Sequence, residues 1–186
     1  MELVKHVLGR AIFPARYAWF LEGRWRNLVL SPQRLAQRLA LTPPLTVLEI
    51  GAGGGFYAHP LSRLVRRYVA LDIQAGMLQR LGKKSPVAAL VPVQADAGRL
   101  PFPYGSIDVV IAVTVLGEVP SAEATIAEVR RVLRPDGMFS VSEHRPDPDF
   151  LRFEHVRSLC EATGLRLDQR FGSRHNYTAN FIAREA

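Results

Sequence analysis

The chain has 186 residues, a length suited to one domain with a sizeable core rather than two. Its 48% hydrophobic and 22% charged residues match an ordinary globular protein and argue against a disordered or fibrous chain. The net charge of +7 is uneven: residues 1–40 hold seven basic and two acidic side chains, a net +5, so any electrostatic role belongs to that segment. A single cysteine, Cys160, rules out an intrachain disulfide and suits a reducing cytoplasm. Basic residues interrupt the first 30 positions too often for a signal-peptide core or a membrane span, so a cytoplasmic protein is expected.

In chain order, Leu3, Val4, Val7, Leu8, Ala11 and Ile12 recur at helical spacing up to Pro14. Phe13, Tyr17, Trp19, Phe20 and Trp25 then mix with arginines. Ser31-Pro32 reads as an N-cap followed by proline at the first helical position, opening a helix that buries Leu35 and Leu39. Val47–Ile50 is a short apolar strand running into glycines. A helix over 57–67, with Leu61, Leu64 and Val65 inward, leads to a second strand, Tyr68–Leu71, that ends at Asp72. A helix over 75–84 and a third strand, Val91–Ala95, follow. Ile107–Val115 is the most apolar stretch, as a central buried strand should be.

Ser121 caps a helix with Ile126, Val129 and Leu133 inward, and Pro135-Asp136-Gly137 is a turn into a fifth strand, Met138–Ser142. A helix over 149–163 ends at Gly164, and Leu165–Phe171 with Tyr177–Ala183 form an antiparallel hairpin. Alternating strands and helices predict an α/β fold: a doubly wound, mostly parallel seven-stranded sheet closed by that hairpin. Residues 1–44 would be a helical cap or lid belonging to the same domain as 45–186.

The chemistry concentrates where strands end. Glu49 closes the first strand, and glycines alternate at 51, 53 and 55. Glycine suits a sharp turn on which a ligand lies against bare backbone, and ligands of open α/β sheets bind at the carboxyl ends of strands. A nicotinamide dinucleotide loop, G-x-G-x-x-G, would need glycine at 56, where Phe56 stands. Glu49 would repel a pyrophosphate and attract an ammonium group. Asp72 ends the second strand, where a carboxylate can accept from ribose hydroxyls. Asp96 ends the third, where a side chain can meet an adenine amine. Each aspartate alone reads equally well as a turn former; three acids on three successive strand ends beside a glycine turn do not.

Glu49-x-Gly51-x-Gly53-x-Gly55 resembles motif I of class I S-adenosylmethionine (SAM)-dependent methyltransferases. Asp96-Ala97-Gly98-Arg99-Leu100-Pro101-Phe102-Pro103 through Asp108-Val109-Val110, with Arg131-Val132-Leu133-Arg134-Pro135-Asp136-Gly137, resembles the ubiquinone/menaquinone-biosynthesis type, the type 11 family. The resemblance covers roughly 45–145 and implies a Rossmann-like fold with SAM as cofactor. It implies that Gly51, Gly53 and Gly55 pass under the methionine part, with Glu49 near its amino group. Asp72 would hold the ribose, Ile73 would pack on the adenine, Asp96 and the Ala97 backbone would read its edge, and Val113 would lie near the sulfonium.

Methyl transfer from a sulfonium needs mainly alignment and exclusion of water, and a base only when the nucleophile must lose a proton. The candidates are Glu118 after the fourth strand and Glu143 and His144 at the end of the fifth. Each reads equally as a solvated loop residue or a helix cap. Many relatives carry a His pair where Gly117-Glu118 stand, so no histidine role carries over. No Asp/Asn-Pro-Pro-aromatic motif follows strand four, which argues against a nucleic-acid amino-methyltransferase, and no nucleic-acid partner is expected. His6, His59, His144, His155 and His175 show no metal-like spacing, and His59 reads as a surface residue, so no metal is expected. The expectation is a methyltransferase for a small-molecule acceptor, with residues 1–40 as a lid and a candidate for peripheral membrane contact. The alternatives are a non-catalytic SAM-binding protein and a nicotinamide-dependent oxidoreductase. The acceptor, the methylated atom and the oligomeric state are not legible in the sequence.

Overall fold

The computed structural model describes residues 30–83 and 87–183. The amphipathic stretch over 3–12, the aromatic set from Phe13 to Trp25 and most of the expected cap lie outside the described residues. The first described helix, α1 (Pro32–Leu39), starts as the sequence requires: Ser31 Oγ accepts the Arg34 N–H at 3.2 Å, proline opens the first turn, and Ala40 ends it at φ 46°. Leu35 and Leu39 are buried.

Seven strands follow: β1 (Thr46–Ile50), β2 (Arg67–Asp72), β3 (Leu90–Gln94), β4 (Ile107–Val113), β5 (Leu133–His144), β6 (Leu165–Gly172) and β7 (Asn176–Ala183). They form one sheet in the order β3-β2-β1-β4-β5-β7-β6. The first five run parallel, and β7 is antiparallel to both neighbours. The helices between them are α2 (Ala58–Leu61) with a short 3-10 turn (Ser62–Leu64), α3 (Ala75–Gly82), α4 (Ala122–Val132) and α5 (Phe153–Ala162).

The alternation of side chains along parallel strands divides the core between two faces. Leu48, Ile50, Val110, Ala112, Phe139 and Val141 pack with Ile126 and Val129 of α4 and Val156 of α5. Val47, Tyr68, Val109, Ile111 and Val113 pack with Leu35 of α1 and Leu61 of α2 on the other. Polar contacts also hold α1 to the far end of the sheet. Arg38 Nη1 donates to Thr178 Oγ1 at 2.7 Å, and Asn180 Nδ2 donates to the Arg38 carbonyl at 2.8 Å.

Several boundaries differ from expectation. The helix expected over 57–67 shrinks to one short α turn and a 3-10 turn, because Val65 is already extended (φ −135°) to feed β2. Leu64 is therefore 43% exposed instead of inward. The turn Pro135–Gly137 does not precede β5 but forms a bulge within it. Ile107 pairs with Leu133 and Val109 with Met138, with Asp136 at φ 58° in between. Helix α5 starts at Phe153 rather than 149 because the chain before it folds on itself: Asp147 Oδ1 accepts the Asp149 N–H at 2.9 Å. Strand β4 stops at Val113, since Thr114 turns left-handed at φ 53°.

Candidate functional site

The loop after β1 turns on three glycines with positive φ: Gly51 at 68°, Gly53 at 53° and Gly55 at 84°. They serve different purposes. A Cβ on Gly51 would collide with the Val115 side chain, and one on Gly55 would press on His59 and Leu81. A Cβ on Gly53 would meet nothing within 4 Å. Gly53 is thus the point where the loop presents bare backbone to open space, as a ligand cradle requires.

Asp72 ties this loop to the end of β2. Its Oδ2 accepts the Gly53 N–H at 2.8 Å and its Oδ1 the Gln74 N–H at 2.9 Å. Burial raises the Asp72 pKa, and the N–H groups of Gln74, Gly53 and Ile73 pull it back. Both oxygens keep further lone pairs for a ligand. Ile73, next in the chain, is 44% exposed, an apolar platform at the strand end. Asp96 lies beyond β3 and is exposed; its Oδ1 accepts the Gly98 N–H at 2.8 Å while Ala97 is buried beneath it.

Glu49 is buried, and its Oε2 accepts the Tyr68 hydroxyl at 2.9 Å. The charge of Glu49, after burial, pushes the Tyr68 phenol well above its ordinary range. Nothing in the sequence reading singled out Tyr68. Val113 is buried at the end of β4. Strand pairing places all these positions along one edge, since Ile50 sits beside both Leu71 and Ala112, and Asp72 beside Gln94. Thr114, a further residue the sequence reading missed, continues that edge; its N–H donates to the Ser142 carbonyl at 2.8 Å. A β-branched residue at φ 53° is strained and marks the place where β4 gives way to the next loop.

The three candidate acid–base residues are not solvated loop residues as a group. Glu143 and His144 are the last residues of β5, 1% and 3% exposed. They sit in ladder register opposite Tyr177 and Asn176, so their side chains leave opposite faces of the sheet and do not act as a pair within the strand. Burial, then the charges of Asp147, Glu118 and Asp149, push the Glu143 pKa well above its ordinary value, against a hydrogen bond from the Leu151 backbone. Glu118 is half-buried in the loop after β4. The β4 and β5 loops meet directly: a Cβ on Gly117 would overlap the Asp149 carbonyl.

His59 is half-buried, and its Nε2 lies 3.1 Å from the Leu81 carbonyl, joining α2 to α3. The motif-like segment around Arg131 is structural. Its guanidinium donates to the carbonyls of Phe102 at 2.8 Å and Leu100 at 2.9 Å and pairs with Glu128, clasping the chain after Asp96. Asp108 lies at the opposite edge of the sheet, accepting the Thr46 N–H at 2.6 Å and pairing with Arg134. Among the described residues no cluster of three or more His, Cys, Asp or Glu is placed to hold a metal, and no helix is long and apolar enough to cross a membrane.

A parallel sheet in this order, ended by the antiparallel pair β6–β7 and carrying a glycine turn and carboxylates on its C-terminal edge, defines a class I SAM-dependent methyltransferase fold. A family model described as a methyltransferase domain, type 11, matches residues 48–141. The chain is 36% identical over 126 residues to the fatty-acid O-methyltransferase of Mycolicibacterium smegmatis, covering 67% of this chain and 45% of that protein. It is 34% identical over 114 residues to a sterol 24-C-methyltransferase of Gibberella zeae, covering 59% of this chain and 30% of that protein. The chain therefore spans less than half the length of either relative. A SAM-dependent methyltransferase from Aquifex aeolicus superposes with a TM-score of 0.81 at 18% identity, covering 92% of this chain and 100% of the other. The chain belongs to the type 11 methyltransferase family.

Proposed function

We propose that this protein transfers a methyl group from SAM to a small, lipid-like acceptor. The observation that carries the reading is the link between Gly53 and Asp72, a bare backbone turn facing open space beside a carboxylate with spare acceptor capacity. The residues on the edge suit the parts of SAM. Asp72 has the acceptors for two ribose hydroxyls, Ile73 would offer an apolar face to the adenine, and Asp96 and Ala97 would meet its amine. Glu49 supplies the negative charge an ammonium needs. When bound, SAM supplies an electrophilic methyl with a neutral thioether as leaving group. The chain's remaining task is to align the acceptor and keep water out, and the buried end of β5 with the loops after β4 and β5 is where it would do so.

The lipid-like acceptor is supported by the fatty-acid and sterol methyltransferases among the relatives. Calorimetry with S-adenosylhomocysteine (SAH), the demethylated product, and with NAD tests the cofactor reading. SAH should bind and NAD should not; NAD binding without SAH binding would overturn it in favour of an oxidoreductase.

A further inference from the structure

Between Glu49 and Asp96 the chain carries six basic side chains, Arg63, Arg66, Arg67, Arg80, Lys83 and Lys84, and one acid, Asp72. Asp72 is buried at the C-terminal end of β2, where it holds the Gly53 and Gln74 N–H groups. Four of the cations gather at the opposite end of the strands. Arg67 opens β2 opposite Thr46, the first residue of β1. The Arg66 and Arg67 N–H groups donate to the Leu45 carbonyl at 3.1 and 3.3 Å, which pins the pair there. Arg63 lies in the 3-10 turn just before, and Lys83 caps α3, the helix that His59 joins to α2. Arg63, Arg66, Arg67 and Lys83 are all exposed. None of them forms an ion pair with a described residue, and Asp108, on β4 at the same end, is buried and pairs with Arg134 instead.

Like charges gathered without acids between them repel one another and oppose the compact state. A surface built for solubility alone intersperses the two signs. Between Arg63 and Arg66 stands Leu64, 43% exposed because the 3-10 turn gives way at once to β2. Pro43 and Pro44 are exposed on the neighbouring loop that leads to Leu45. The corner thus combines uncompensated cations with an outward aliphatic side chain.

We infer that this corner docks on an anionic lipid surface. Guanidinium and ammonium groups match lipid phosphates, and Leu64 is placed to enter the boundary between headgroups and acyl chains. A nucleic-acid strand is met instead by cations interleaved with aromatic rings on which bases stack. Tyr104, the one large aromatic that is fully exposed among the described residues, stands in the loop before β4, away from Leu64 in the chain. Docking through the N-terminal ends of the strands leaves the glycine turn, at their C-terminal ends, facing solution, from which a water-soluble cofactor arrives. The inference does not depend on the methyltransferase reading.

The test uses the full chain and vesicles of phosphatidylcholine alone or with about 30% phosphatidylglycerol, with binding read by co-sedimentation at about 0.1 M salt. The chain should bind the anionic vesicles at least tenfold tighter than the neutral ones. Each cation near an anionic leaflet strengthens binding about fivefold, so Arg63→Gln with Arg67→Gln should weaken it at least tenfold. Arg63→Gln with Lys83→Gln should do the same, which covers failure of either pair to fold. Leu64→Gln should weaken it severalfold with no loss of charge. Arg166→Gln with Arg174→Gln, the same charge loss near the far edge strand β6, should change it less than twofold, and thermal melting should show all variants folded. Equal binding to both vesicle types, or a loss in the β6 pair as large as in the corner pairs, overturns the inference. Tighter binding to a single-stranded oligonucleotide than to anionic vesicles, with no effect of Leu64→Gln, overturns it in favour of nucleic acid.

Discussion

The Tyr68 hydroxyl donates to Glu49 at 2.9 Å, joining two neighbouring strands directly beneath the glycine turn. Both side chains are buried, so the phenol fixes the carboxylate that the cofactor's amino group would meet. Tyr68→Phe should therefore weaken SAH binding about tenfold by calorimetry. Binding of 5′-methylthioadenosine, which lacks the amino-acid part, should stay the same. Loss of the buried hydrogen bond should also cost about 1–3 kcal/mol of stability. Equal weakening of both ligands would mean a general loosening of the fold rather than positioning of Glu49.

Gly53 and Gly51 should respond differently to alanine. Gly53→Ala places a methyl in open space at φ 53°, so the protein should fold with a penalty of about 1–2 kcal/mol while SAH affinity falls at least tenfold. Gly51→Ala drives a methyl into Val115 and should destabilise the fold more strongly than Gly53→Ala. Chemical denaturation alongside calorimetry separates the two effects.

Glu143 should make stability fall as pH rises. Its folded pKa lies well above the ordinary 4.5 because of burial and the charges of Asp147, Glu118 and Asp149. Below about pH 4.5 both folded and unfolded states hold the proton and the residue costs little. Above it the unfolded state gives up the proton first, so the native state loses ground until its own pKa is passed. Glu143→Gln should raise the melting temperature by a few degrees near pH 8, with a gain that vanishes toward pH 4.5. A constant gain across that range would contradict the shift.

Cys160 is buried in α5, and burial, reinforced by Glu161, pushes its thiol up to about 12. It should resist thiol reagents at pH 8 in the folded protein and react at once in denaturant. Rapid labelling of the native chain would show that α5 opens locally.

Much of this structure was legible in residue pattern. Ser31-Pro32 marked the start of α1, the apolar runs marked all seven strands, and the glycine turn with Asp72 and Asp96 fell on one sheet edge as read. What escaped depends on contacts between distant segments. Tyr68 reads as one more apolar residue of β2 until the fold brings it to Glu49, nineteen positions away. Glu143 and His144 read equally as acid–base candidates, solvated loop residues or helix caps because the local strand pattern ends at Ser142; pairing with β7 carries β5 to His144, where both are buried. Helix α2 fell short because entry into β2 overrides helical periodicity, and no local signal announces that competition.

The edge formed by the glycine turn, Asp72 and Asp96 is the proposed SAM site. A crystal structure of the full chain with SAH tests it most directly. The ribose hydroxyls should lie within hydrogen-bond distance of Asp72, the homocysteine against Gly53, and the sulfur facing the ends of β4 and β5. SAH bound elsewhere, with Asp72 still satisfied only by Gly53 and Gln74, would contradict it.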